Sequence, residues 1–319
     1  MAFLRDIRTE NKLTLAMVFP GQGSQSVAMQ ADLAAEFPEV RATYAEASEQ
    51  LGYDLWQLVQ EGPKEKLDET VVTQPAMMSA GVATWRVWQK SGGEQPALVA
   101  GHSLGEYTAL VCAGAIEFAG AVNLVQRRAE LMQQAVPAGD GAMAAILGLD
   151  NEAVLSVCRD AEEGQVVQAV NFNSPGHVVI AGARPAVERA AELAKNVGAR
   201  RALLLSVSVP AHCELMKPAA EKLAEALAAA ELAVPSIPVI CNTDAVMYES
   251  AEQIRDGLRR QLFNPVRWVE TIELMIASGT TKIIECGPGK VLAGLTRRID
   301  KSVSSACTDS PAALESALQ

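Results

Sequence analysis

The sequence predicts an α/β protein: a large part built on a mostly parallel sheet, with a small β-α-β-β-α-β unit inserted into it. Three observations carry this. Apolar runs of strand length alternate with helical stretches in the first and last thirds of the chain. One such run passes through Gly-x-Ser-x-Gly straight into a helix. Between residues 137 and 207 the order changes to strand, helix, two strands across a turn, helix, strand, a ferredoxin-like pattern. A chain of 319 residues is long for one simple domain. The expected division is 1–136 with 208–319 for the large part and 137–207 for the insert.

Taken in order, residues 1–12 are polar and read as an extension or extra turn, and 13–19 as a buried strand. Pro20-Gly-Gln-Gly-Ser-Gln25 is then a strand-end loop suited to close backbone approach. It is not a dinucleotide fingerprint, because Ser26 stands where the third glycine belongs. Helices are expected over 31–51, 54–60 and 74–90, the last with a Met and Trp stripe that reads as core. The run 97–100 is a strand, and 118–134 a further helix. Pro137 to Gly141 reads as a linker. In the insert, strands are expected over 142–149, 165–171, 177–181 and 202–205, with helices over 150–163 and from Pro185 to 197. The large part resumes with a helix over 218–233 and strands over 238–242 and 281–286. Gly287-Pro-Gly-Lys290 misses the phosphate-loop spacing, since Ile284 occupies the first glycine's place.

The net charge of −11 argues against a nucleic-acid binder, which needs a basic face. Six cysteines without Cys-x-x-Cys spacing indicate free thiols in a reducing cytosol rather than a disulfide frame or zinc site. The N-terminus lacks a signal peptide's apolar stretch, and no run approaches the ~20 residues that span a bilayer. The expectation is a cytoplasmic monomer with no membrane or nucleic-acid partner and no metal.

Chemistry centres on Gly101-His-Ser-Leu-Gly105. A sharp strand-to-helix turn has no room for Cβ atoms beside the serine, and the helix behind it aims N–H groups at the reacting atoms. Ser103 is thus the candidate nucleophile, on a hydrolase-like sheet. It needs a base. His102 adjoins it and points elsewhere, His177 lies at a strand turn, and His212 sits in the loop re-entering the large part. His212 is the choice, in the hydrolase order of serine before histidine. Asp244 is the nearest acid for orienting the imidazole, but it follows the histidine, and a carbonyl could do the same work. Arg127 and Arg128 point about 100° apart on a helix, so at most one easily faces inward.

Five motifs occur in register: Pro20-Gly-Gln-Gly-Ser-Gln, Gly101-His-Ser-Leu-Gly-Glu-Tyr, Arg127-Arg-Ala-Glu-Leu-Met, Asn171-Phe-Asn-Ser-Pro-Gly and Gln261-Leu-Phe-Asn-Pro-Val-Arg-Trp. From about Leu13 onward the chain resembles the bacterial malonyl-CoA:acyl-carrier-protein transacylases of type II fatty-acid synthesis. The resemblance implies a hydrolase-like fold with an inserted ferredoxin-like domain. It implies an acyl-carrier-protein S-malonyltransferase that moves malonyl from coenzyme A to the phosphopantetheine thiol of acyl carrier protein through a malonyl-serine, in ping-pong order and without a cofactor. By the same resemblance Ser103 is the nucleophile and His212 its base. Gln22 and the Leu104 N–H form the oxyanion hole, Arg128 grips the malonyl carboxylate, and the Gln261 carbonyl orients His212. Val209-Pro-Ala-His212 matches the stand-alone fatty-acid enzymes better than the polyketide acyltransferases. An acidic carrier would dock on basic residues, with Arg189, Lys195, Arg200 and Arg201 on the insert and Lys282, Lys290, Arg297 and Arg298 on the large part as candidates. Three other readings stand beside this: a serine esterase or thioesterase on the same elbow, a malonyl transferase serving a polyketide pathway, and a non-catalytic carrier-binding module.

Overall fold

The structure, a computed structural model, describes residues 14–137, 139–207 and 209–319. The extension read over 1–12 lies outside the described residues. The strands are β1 (Thr14–Phe19), β2 (Leu98–Gly101), β3 (Gly141–Leu147), β4 (Val167–Ser174), β5 (His177–Ala183), β6 (Arg201–Leu204), β7 (Val239–Ile240), β8 (Thr280–Glu285) and β9 (Ser304–Cys307). They form two sheets. A five-stranded sheet has the order β7-β2-β1-β8-β9 with every pairing parallel. A four-stranded antiparallel sheet has the order β4-β5-β3-β6, the ferredoxin-like arrangement expected of the β-α-β-β-α-β unit.

The parallel sheet is covered on both faces, as its connections require. Along β1 alternate side chains part company. Met17 and Phe19 pack with the helices Thr70–Lys90 and Phe118–Ala135, and Ala16 and Val18 pack with Trp268, Ile272 and Leu295. The antiparallel sheet also uses both faces. Ala144, Ile146, Val178 and Ile180 pack under its own helices, Asn151–Ala161 and Arg184–Asn196. Met143, Val170, Val179 and Ala181 face Cys213 of the large part. A short parallel bridge, Asn171 to Val266, ties β4 to the loop after the helix Ala251–Gln261. Met143 of β3 and Asn171 of β4 line one cavity together with the residues just past the end of β2.

The structure redraws several expected elements. The helix expected over 31–51 is two, Ala31–Glu36 and Pro38–Leu51, because a residue before proline is driven out of helical backbone and Phe37 is extended. The helix expected from Gln74 starts at Thr70 and carries Pro75 in its interior. The strand over 238–242 shrinks to two paired residues, Val239–Ile240. Lys64–Leu67, a single helical turn, and the edge strand β9 give too little periodicity to be read from sequence.

Candidate active site

Ser103 occupies the turn between β2 and the helix Gly105–Cys112, with φ of 53°. A non-glycine residue in left-handed backbone is strained by about 1–3 kcal/mol, so something must hold it. Glycine supplies the room: a Cβ on Gly101 would stand 1.8 Å from the Gly105 carbonyl, and one on Gly105 would stand 2.1 Å from the Phe19 oxygen. Asn242, following β7, supplies the clamp. Its Oδ1 accepts from the Ser103 N–H at 2.7 Å and its Nδ2 donates to the Gly101 carbonyl at 2.6 Å. The loop after β1 presses on the same turn, since a Cβ on Gly21 would lie 2.4 Å from the His102 oxygen.

Ser103 Oγ and His212 Nε2 are 2.7 Å apart. His212 Nδ1 lies 2.7 Å from the Gln261 main-chain carbonyl. A carbonyl can only accept, so Nδ1 carries the proton and Nε2 is the bare nitrogen that accepts from the serine hydroxyl. The His212 N–H also donates to the Leu262 carbonyl at 2.8 Å, which pins its left-handed backbone (φ 68°) to the same helix end. Burial, and then the Arg128 charge, push the imidazole down to about 3, so it is neutral across the physiological range.

The two adjacent arginines separate as helical geometry requires. Arg127 is exposed beside Glu130, whereas Arg128 is 1% exposed. Arg128 Nη1 donates to Gln74 Oε1 at 2.7 Å and Nη2 to Gln261 Oε1 at 2.9 Å. Tyr107 lies 5.5 Å from the guanidinium carbon, within cation–π reach. A cavity of about 100 Å³ joins Gln22, Ser103, Leu104, Arg128, Met132 and Met143. All six residues named from sequence therefore meet at one place: Gln22, Ser103, Leu104, Arg128 and His212 line this cavity, and Gln261 stands behind as the hub.

The remaining candidates resolve otherwise. Asp244 binds Arg260 through both oxygens, and the partner of His212 Nδ1 is the Gln261 carbonyl instead. His102 Nε2 pairs with Asn173 Oδ1 at 2.8 Å and its ring meets Trp268 edge-on, so it is a wall. Of the basic candidates, Arg189 binds the carbonyls of Ala161 and Glu162, Lys195 pairs with Glu192, Lys282 donates to the Ala317 carbonyl and Arg297 to that of Ser305. Arg200, Arg201 and Arg298 instead line one cleft of about 500 Å³ beside His177. Gln74, Glu106, Asn242 and Tyr248 escaped the sequence reading. For Gln74 a signal existed, an amide inside an otherwise apolar helical stripe; for Asn242 it was position just beyond a strand's C-terminal end.

The acyl transferase domain family matches residues 16–313. The malonyl CoA-acyl carrier protein transacylase of Salmonella typhimurium is 57% identical over 95% of this chain and 98% of its own length. The Bacillus subtilis protein of the same name is 47% identical over 96% of each. Among solved structures, a malonyl-transacylase in complex with a type II PKS acyl-carrier protein is 57% identical and superposes with a TM-score of 0.95 over 96% of this chain and 99% of that one. An acyl carrier protein S-malonyltransferase from Vibrio cholerae is 59% identical with a TM-score of 0.92 over 95% and 99%. The chain belongs to the acyl transferase domain family and, within it, to the malonyl CoA-acyl carrier protein transacylases.

Proposed function

We propose that this chain transfers malonyl from coenzyme A to the thiol of acyl carrier protein through a malonyl ester on Ser103. The observation that carries the reading is a bare imidazole nitrogen 2.7 Å from a serine hydroxyl, in a cavity that also holds a buried guanidinium. His212 takes the Ser103 proton as Oγ attacks the thioester carbonyl. Gln22 and the Leu104 N–H stabilise the oxyanion, a term usually worth about 10²–10³ in rate per donor. The carbon–sulfur bond breaks, and His212 returns the proton to the departing thiolate. The carrier thiol then gives its proton to His212, attacks the ester carbonyl, and the proton ends on Ser103. Side chains and backbone supply every proton and charge in this cycle, so no cofactor enters it.

Arg128 selects the substrate. A planar fork suits a carboxylate, and an acetyl group leaves it without its charged partner. Substrate binding also tunes the base. The Arg128 charge holds the His212 pKa down, so a malonyl carboxylate that neutralises it makes His212 a stronger base when the reaction needs one.

The antiparallel sheet and its helices, residues 137–207, form the inserted domain, with the active site at its junction with the large part. Arg200, Arg201 and Arg298 form the face that meets an acidic carrier. Among the described residues no helix is long and apolar enough to cross a membrane, and a cytoplasmic enzyme of fatty-acid elongation fits the free thiols. One specific observation favours a second assignment of pathway: the similar malonyl-transacylase solved with a type II PKS carrier. Intact-mass measurement after brief mixing with malonyl-CoA tests the reaction. The wild type should gain a malonyl adduct that holo carrier protein discharges, and Ser103→Ala should gain none. An adduct that water clears as fast as the carrier does would make the protein a hydrolase instead.

A further inference from the structure

Arg128 and Glu106 are both buried and opposite in charge, yet they bind opposite ends of one amide rather than each other. Gln261 Oε1 accepts from Arg128 Nη2 at 2.9 Å, and Gln261 Nε2 donates to Glu106 Oε2 at 2.6 Å. The sense of that amide is forced. Arg128 can only donate, and the Ser103 carbonyl, 2.8 Å from Gln261 Nε2, can only accept. The other Glu106 oxygen accepts from the Tyr248 hydroxyl at 2.6 Å and the Asn242 N–H at 3.3 Å. Both oxygens that bind Arg128 are thus neutral amide oxygens, and among the described residues its Nε has no partner.

Two simpler designs each carry a cost, one in substrate binding and one in the free enzyme. A carboxylate paired directly with Arg128 would have to be displaced by substrate, forfeiting roughly 10- to 100-fold in binding for the broken charge-assisted contact. With no acid nearby, a buried guanidinium would stand unbalanced. We propose that Glu106 is the standing counter-charge of Arg128, held one amide away by Gln261, so that the guanidinium is balanced before substrate arrives and still open to a substrate carboxylate. Glu106 is a positioning residue: it acts through Gln261 and touches no reacting atom. Burial pushes its carboxyl up to about 7, against the downward pull of its three hydrogen bonds and then of Arg128.

The inference rests on the malonyl reading of Ser103 and Arg128, and the test separates the two. Loading of Ser103 is followed with malonyl-CoA and, alongside, acetyl-CoA. Glu106→Gln leaves the guanidinium to be balanced by substrate alone, so the KM for malonyl-CoA should fall roughly 3- to 10-fold and the malonyl-to-acetyl ratio should rise. The double variant E106Q/Q261E keeps the total charge but moves it into contact with Arg128, and there KM should rise about tenfold or more. Should Glu106→Gln fail to fold, Tyr248→Phe removes one donor from the carboxylate and should shift KM in the same direction by about two- to threefold. A Glu106 that only holds the fold would depress both acyl groups together and leave the ratio unmoved; that outcome, or an unchanged KM across the variants, overturns the proposal. If wild-type Ser103 takes no malonyl, the functional reading fails first. If it loads and the ratios stay put, only the role of Glu106 falls.

Discussion

Arg128 and Arg260 are both tied to the end of the helix Ala251–Gln261, one through the Gln261 side chain and the other as that residue's neighbour. Arg260 is partly exposed and holds two carboxylates, Asp244 and Asp256. Those partners keep its charge firmly in place and hold Asp244 below the usual carboxylate range. Arg128 is buried, where a carboxylate would help it more, and among the described residues it pairs with none. An arginine with its acids beside it is finished structure. An arginine buried among neutral amides keeps a charge that no contacting acid cancels, and it lines the same cavity as the serine.

The sharpest way to break this contrast is to remove each guanidinium in turn. Arg128→Met should slow malonyl loading roughly 10- to 100-fold with little change in acetyl loading, the worth of a charge-assisted contact. Arg260→Met should leave loading within about threefold, because a partly exposed ion pair contributes little. Adduct formation in a quenched-flow series separates the two, and equal losses would erase the distinction. Gln74→Leu strips Arg128 of one acceptor and leaves its Nη1 buried and unpaired. The KM for malonyl-CoA should rise about tenfold.

A third arginine environment extends the series. Arg200, Arg201 and Arg298 share a cleft, so R200A/R201A/R298A should slow transfer to carrier protein several-fold, the sum of partly screened charges, while loading from malonyl-CoA is spared. Equal loss in both half-reactions would remove that cleft from docking.

The burial of His212, and then the Arg128 charge, also leave a mark on stability. His212 has a folded pKa of about 3, below its ordinary 6.5, so below pH 6.5 the unfolded chain binds the proton that the folded one refuses. This contribution is absent above pH 6.5 and destabilises progressively below it, by about 2 kcal/mol at pH 5. His212→Gln should therefore melt closer to its neutral-pH temperature at pH 5 than the wild type does, a comparison that calorimetry at the two pH values makes directly. The smallest effect belongs to Asp244→Asn: a loss of about 1 kcal/mol or less from a partly exposed pair, with the rate of adduct formation intact, since this acid orients Arg260 and not His212.

Much of this was legible in the residues because the chemistry is local. The elbow is a contiguous strand, turn and helix, and its glycines mark where backbone must approach backbone. The insert announced itself by a change in the order of strands and helices. Long-range partners were not legible. Asn242 reaches Ser103 across 139 positions and Glu106 reaches Gln261 across 155, and neither pairing leaves a periodicity or a spacing. Asp244 is the nearest acid that the sequence displays, whereas the group paired with His212 Nδ1 is main chain, the Gln261 carbonyl that only the family resemblance singles out. Helical geometry shows only that Arg127 and Arg128 diverge; which of them turns inward follows from the family resemblance or from the fold.

That main-chain carbonyl has a consequence for how the enzyme can fail. The carbonyl oxygen that meets His212 Nδ1 is present whatever amino acid occupies position 261, so no single codon change deletes it as a missense change deletes a triad aspartate. Nor can acid switch it off, because an amide oxygen stays unprotonated where a carboxylate would not. Substitutions at 261 should thus register as altered acyl choice through the lost side-chain links to Arg128 and Glu106, long before they register as a misdirected imidazole.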